Sequence, residues 1–214
     1  MSQIFSEKKK VVLATRNKGK IAEFERLISE LTDSIQILGL ADFPDMPDVE
    51  ETGVTLTENA LLKSRQIAAF TGLPSLADDS GLFVDALGGD PGVYSARWAG
   101  SHGDDVANTK KVLDQLVELE QSGPIDRSAA FKCVITLSFP EGHSEYGRDQ
   151  IQEGEMKGSL IREPRGDGGF GYDPIFIPMG LTLTSAEIPA DLKDSLSHRG
   201  KAMRAIAPIL IELL

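Results

Sequence analysis

Polar and apolar positions fall in blocks along this chain, and the period of the blocks changes from one to the next. "KKVVLAT" (9–15) passes from charge into a β-rich apolar run and predicts a short buried strand. In "NKGKIAEFERLISEL" (17–31), Ile21, Phe24, Ile28 and Leu31 recur at helical spacing, so a helix follows. A strand handing over to a helix through polar residues opens an α/β unit. "SIQILGL" (34–40) predicts a second strand. "ADFPDMPDVEETGVT" (41–55), with its prolines and carboxylates, reads as an exposed loop whose charge is solvated. "TENALLKSRQIAAFTG" (57–72) predicts a helix with Thr57 as N-cap, Glu58 in the first turn and Gly72 as the stop.

"LPSLA" (73–77) predicts a strand that ends at the aspartates of "ADDSG", and "GLFVDAL" a further strand. "GGDPGVYSARWAGSHGDD" (88–105) is a Gly-rich loop of a length that is usually functional. Helical spacing returns over 105–120. "SAAFKCVITLSF" (128–139), the turn "PEGH" (140–143) and "SEYGRDQIQEGEMKG" (144–158) predict an antiparallel hairpin. From Ser185 the tail is mostly helical, with a bend expected at Pro208. No repeat or linker divides the chain, so residues 1–214 form one domain. Strand–helix units followed by a hairpin predict an α/β fold with a mixed β-sheet flanked by helices.

Composition narrows the function. With 41% hydrophobic and 26% charged residues the chain is globular rather than disordered. A net charge of −11 repels nucleic acid and anionic membranes, but a small phosphorylated ligand needs only a few local cations. No apolar run approaches the ~18 residues of a membrane span. The lysines near the N-terminus precede no long apolar segment, so no secretory signal is expected and the default location is cytoplasmic. Cys133, the one cysteine, excludes an intrachain disulfide and reads as a buried strand thiol. Three histidines without paired spacing argue against zinc.

Four stretches carry candidate chemistry. In "ATRNKGK", residues Thr15, Arg16, Asn17, Lys18, Gly19 and Lys20 sit where a strand meets a helix, a place whose free N–H groups and dipole suit phosphate. The stretch lacks the Walker spacing, and ordinary capping by Thr and Asn is the alternative. In "ADDSG", Asp78 and Asp79 could not both face one site if the strand persisted, because side chains alternate. The pair is therefore expected to mark the strand's last residue and the loop beyond. Carboxylates there suit Mg²⁺; a turn with two solvated aspartates is the alternative. In "GDGGFGYDPIF", glycines permit close approach to a ligand, and Phe170 either stacks on a base or packs in the core. Tyr172 there fits a structural strand entry equally well. In "KDSLSHRG", Lys193, His198 and Arg199 supply donors just before the last helix, or serve as cap and surface residues.

Together, "LATRNKGKIAEF", "EETGVTLTENALLKSR", "LADDSGLFVDALGGDPGVYSARWAG", "GGFGYDPIF" and "SHRGKA" resemble, in order and spacing, the Ham1/RdgB-type inosine triphosphate pyrophosphatase family. The resemblance implies an elongated mixed sheet with two lobes around a central cleft (Maf/Ham1-like), usually as a homodimer. It implies Mg²⁺-dependent hydrolysis of ITP, dITP or XTP to the monophosphate and pyrophosphate. Thr15 to Lys20 would hold the triphosphate, and Asp79 would be proton acceptor and metal contact with Ser80 beside the substrate. Glu51 would share the metal, its neighbour Glu50 not being separable from it. Phe170, Gly171, Tyr172 and Asp173 would frame the base and sugar. Lys193, His198 and Arg199 would reach the purine edge and donate to a 6-oxo group that adenine lacks. On this reading the adjacent aspartates are tolerated because a dication and a water lie before them.

Overall fold

The protein is described here by a computed structural model covering residues 8–214. Residues 1–7, part of the N-terminus read for a secretory signal, lie outside the described residues. Strand β1 (Lys9–Leu13) leads through helix α1 (Lys18–Leu31) to β2 (Ile35–Gly39), which pairs with it in parallel. Helix α2 (Leu56–Thr71) leads to β3 (Ser75–Val84), parallel to β1 on its other side. Because the β1-to-β2 and β2-to-β3 crossovers run in opposite directions across the sheet, α1 and α2 cover opposite faces. Helix α3 (Asp105–Glu120) precedes the hairpin of β4 (Ser128–Ser138) and β5 (Gln150–Leu160), and β6 (Phe176–Pro178) closes the far edge. The sheet order is β2-β1-β3-β4-β5-β6, mixed as the sequence predicts. Helices α4 (Ala190–Leu196) and α5 (His198–Leu213) follow.

The faces follow the two-residue period of the strands. Val11, Leu13, Leu76 and Ile135 point to one side, against Phe24 and Leu27 of α1 and Met203 and Ile206 of α5. Val12, Ala14 and Ala77 point to the other, against Ile67 of α2 and Met46. A second core gathers Leu82, Val84, Phe131, Met156 and Phe176 with Val112 and Leu116 of α3. Strands β3 and β4 run from one core to the other, and Asp78 to Gly81 lie between the two.

Several local expectations are corrected. No break occurs at the aspartates: "SLADDSGLFV" is one ten-residue strand, registered with β4 throughout. Asp78 and Asp79 therefore point to opposite faces. The cap of α2 is Thr55, not Thr57: its hydroxyl accepts from Glu58 N at 3.1 Å, and Glu58 Oε2 accepts from Thr55 N at 3.1 Å. This reciprocal pair satisfies two N–H groups, which a cap at Thr57 would not. The 41–55 loop is not simply solvated, since its Met46 is buried against the core and its Glu51 is ion-paired. His198 and Arg199 lie within the first turn of α5 rather than before it, because Ser197 Oγ accepts from Gly200 N at 2.9 Å and caps a helix that begins at His198.

Candidate functional site

Strand β1 pairs with β3 only at Ser75 and Leu76, then turns away into α1. A cleft of about 730 Å³ opens beside the stretch of β3 it leaves. This is the crevice beyond the ends of parallel strands where an α/β sheet reverses its winding, a usual ligand position. Ala14 to Asn17, Lys20, Glu51, Lys63, Asp79 to Leu82, Arg97 and the segment Phe170–Asp173 line it, with Lys193, His198 and Arg199.

On the α1 side, Asp78 Oδ2 accepts from Lys20 Nζ at 2.9 Å and from Arg199 Nε at 3.2 Å. Arg199 also donates to Ser80 Oγ at 3.0 Å and is ion-paired with Glu23. Glu23 Oε1 in turn holds Lys193 Nζ at 2.9 Å, which also donates to Asp173 Oδ2 at 2.6 Å. One chain of alternating charge thus joins α1, β3, α4 and α5. Burial would raise the carboxyls of Asp78 and Glu23, but the cations outweigh it and hold both below the usual range.

On the α2 side, Lys63 Nζ donates to Asp79 Oδ1 at 3.0 Å and to Glu51 Oε1 at 2.8 Å. Arg97 Nη1 donates to Glu51 Oε2 at 3.1 Å. Asn59 Nδ2 reaches Asp79 Oδ2 only at 3.4 Å. Burial pushes the Asp79 carboxyl above its ordinary value; Lys63 and Lys20 oppose the shift, and the Glu51 charge adds to it. One ammonium shared by two carboxylates does not compensate both. Burial disfavours the Lys63 charge, yet Asp79 and Glu51 raise its pKa and keep it protonated.

The predicted residues divide by position. Thr15, Asn17 and Lys20 form the entry to α1: Thr15 Oγ1 accepts from Asn17 N at 3.2 Å, and Asn17 Oδ1 caps Lys20 N at 3.1 Å. Arg16 points along the 41–55 loop, donating to Asp48 Oδ1 and to Met46 O, both at 3.0 Å. Lys18 is exposed and outside the cleft lining. Gly19 backs onto Phe170, and an added Cβ would lie 2.5 Å from its ring, so the glycine is needed for this contact. Phe170 lies under Lys193 and Arg199, at 5.1 and 5.5 Å from its centroid. Tyr172 is buried and donates its hydroxyl to Ser95 O at 2.9 Å, while Gly171 N donates to Asp105 Oδ2 at 2.7 Å. His198 is buried, stacks on Phe131 at 4.9 Å, and leaves Nδ1 without a partner among the described residues. Burial holds its pKa well below the ordinary value, so the ring is neutral. Glu50 is exposed, and only Glu51 is tied to Lys63 and Arg97.

Sequence reasoning missed Lys63, Arg97, Glu23 and Asn59. Asn59 and Lys63 are four apart on α2, as Lys20 and Glu23 are three apart on α1, so each pair shares a helix face. Nothing local says what that face meets.

The Ham1 family model matches residues 11–209. A dITP/XTP pyrophosphatase of Streptomyces coelicolor is 48% identical over 205 residues, covering 96% of this chain and 98% of that protein. One from Geobacter sulfurreducens is 48% identical over 194 residues, covering 91% and 92%. Among solved structures, a HAM1 protein from Coxiella burnetii superposes with a TM-score of 0.83 at 43% identity, covering 95% of this chain and 99% of that one.

Proposed function

The chain belongs to the Ham1 family, and from that premise we propose that it is a nucleoside triphosphate pyrophosphatase acting on non-canonical purine nucleotides. Its substrates are ITP, dITP and XTP, hydrolysed with Mg²⁺ to the monophosphate and pyrophosphate, which clears such nucleotides from the pool. The observation that carries the reading is Asp79: a buried carboxylate of raised pKa, in the cleft that the N-terminus of α1 also lines.

The start of α1 and Lys20 suit the triphosphate through the helix dipole and an ammonium that Asp78 holds at the cleft wall. Asp79 takes the proton of the attacking water at a carboxylate oxygen; it lies on the cleft wall, with one ammonium shared with Glu51 as its ion pair. The residues fit Mg²⁺. Asp79 and Glu51 offer hard oxygen donors from two segments, around a position where the Lys63 ammonium is already stabilised. Among the described residues no three His, Cys, Asp or Glu side chains gather into a metal cage. A sparse carboxylate set completed by phosphate oxygens and water is the usual Mg²⁺ arrangement. Glu51 and Asp79 would hold the ion, which would supply positive charge near the phosphate oxygens when bound.

At the base, Lys193 and Arg199 are fixed by acids but keep N–H capacity beyond those bonds, and neutral His198 lies beside them. Such donors match a 6-oxo purine. Against the 6-amino group of adenine they stay unpaired, at a cost of about 1–3 kcal/mol each. The same reading expects a homodimer, on the family resemblance alone, and keeps the cytoplasm as the default location. Among the described residues no helix is long and apolar enough to cross a membrane.

The test is a panel of ITP, dITP, XTP, GTP, ATP and dTTP with Mg²⁺, scoring pyrophosphate against orthophosphate. Pyrophosphate from the inosine and xanthosine nucleotides is expected. Undiminished turnover after exhaustive chelation, or release of orthophosphate alone, would overturn the reading.

A further inference from the structure

Arg97 ends a short 3-10 segment, Gly92–Arg97, that is anchored at its root. Ser95 Oγ accepts from Leu82 N at 2.8 Å and donates to Gly92 O at 2.7 Å, and Tyr172 holds Ser95 O. Gly81 of β3 packs so tightly on Gly92 O that a Cβ there has no room. From this fixed base the Arg97 side chain, 29% exposed, reaches into the cleft.

There it takes one oxygen of Glu51 while Lys63 takes the other. Both oxygens of the carboxylate are therefore occupied by cations from separate elements. Each must move, at least in part, before those lone pairs are free for a metal. The hydrogen bond to Glu51 uses a single N–H of a guanidinium whose fork matches phosphate oxygens.

Resting on the reading of this cleft as a triphosphate site, we propose that Arg97 is a transferable cation. In the free protein it is parked on Glu51, and when nucleotide and metal enter it passes to the phosphate oxygens. Arg97 then opposes metal binding in the absence of nucleotide and favours nucleotide binding. A residue that merely held Glu51 in place would do the reverse for metal: its loss would weaken metal binding. Lys63 is the poorer probe, because it also holds Asp79 and its removal leaves that buried carboxylate without its ammonium.

The experiment is Arg97→Gln, with two binding measurements that need no turnover. One is Mn²⁺ titration of the nucleotide-free protein, read by the paramagnetic signal of free Mn²⁺. The other is titration with inosine 5′-(α,β-methylene)triphosphate in Mg²⁺, whose P–C–P link resists cleavage. The expected result is Mn²⁺ affinity raised about threefold and analogue affinity lowered about tenfold, on the scale of one charge-assisted hydrogen bond. Arg97→Lys, which keeps charge but loses the fork, should fall between. Both affinities falling together, or neither changing, overturns the proposal. Should Arg97→Gln not give a cooperative melt, Arg97→Lys decides by the same opposite signs. Pyrophosphate release from ITP by the unsubstituted protein is measured in parallel. If it occurs and the signs fail, only the role of Arg97 falls; if it does not occur, the parent reading falls and this proposal with it.

Discussion

The two faces of β3 at Asp78 and Asp79 use the same side chain for different ends. Asp78 receives two cations directly, is fully buried, and ties three elements together. Asp79 shares one ammonium with Glu51, makes one long contact to Asn59, and opens on the cleft. Cations hold the first carboxyl below its usual range, and burial lifts the second above it. Two cations on one oxygen make the Asp78 carboxylate structural, although its buried Oδ1 has no partner among the described residues; one shared ammonium leaves Asp79 basic. Adjacent residues reach both conditions because a strand turns successive side chains to opposite faces.

The sharpest way to break this comparison is to exchange the charges one at a time. Asp79→Asn should lower turnover by about 10²–10⁴-fold, the range of a lost general base. Nucleotide binding and the melting temperature should be retained, since a buried, half-compensated charge is removed. Wild-type turnover in the variant would take Asp79 out of the chemistry. Asp78→Asn should do the opposite and cost about 3–5 kcal/mol of stability, because Lys20 then stays behind without its counter-ion and Arg199 keeps only Glu23. Urea unfolding measures this; a change within error would mean that the charge chain is not structural.

Acidification separates the faces without mutation. In the metal-free protein Asp79, with its raised pKa, takes up a proton first, above the ordinary aspartate value of about 3.9, and so loses its capacity to hold the metal first. Asp78 and Glu23 have lowered folded-state values. Their stabilisation is complete above their unfolded pKa values, about 3.9 and 4.3, and is lost only as pH falls through the depressed folded values. A window of folded but inactive protein is therefore expected. Coincident loss of kcat/KM and circular dichroism would contradict it.

Two smaller effects probe the cleft rim. His198→Ala should raise KM for ITP about tenfold relative to ATP, as one lost hydrogen bond to the 6-oxo edge would; equal changes would exclude base reading. Tyr172→Phe should cost only about 1 kcal/mol, through the bond to Ser95 O, with turnover close to wild type.

What was legible early depended on how local the cause was. The spacing of Phe24 and Ile28 marked α1, and both pack in the core. The motif stretches resembled the right family because their order survives without any knowledge of contacts. Thr57 was misplaced as a cap because it stands nearest the apolar run, whereas the Thr55–Glu58 pair fits the reciprocal geometry. The break at "ADDSG" was a local inference from like charge in an apolar stretch. It failed because the compensation comes from Arg199, 121 residues away, and from Lys63 on another helix. Lys63 and Arg97 were passed over because a lysine on a helix and an arginine in a Gly-rich loop are commonplace until something acidic faces them.

By itself the amino-acid order determined the periods of the strands and helices, the caps, and the set of acids, bases and glycines available for chemistry, since these follow from neighbours along the backbone. Only the tertiary structure decided which carboxylate became a structural tie and which stayed basic. That difference is set by how many cations the fold brings within a few ångströms of each, from helices on opposite sides of one sheet, at low dielectric where a single counter-ion governs a proton.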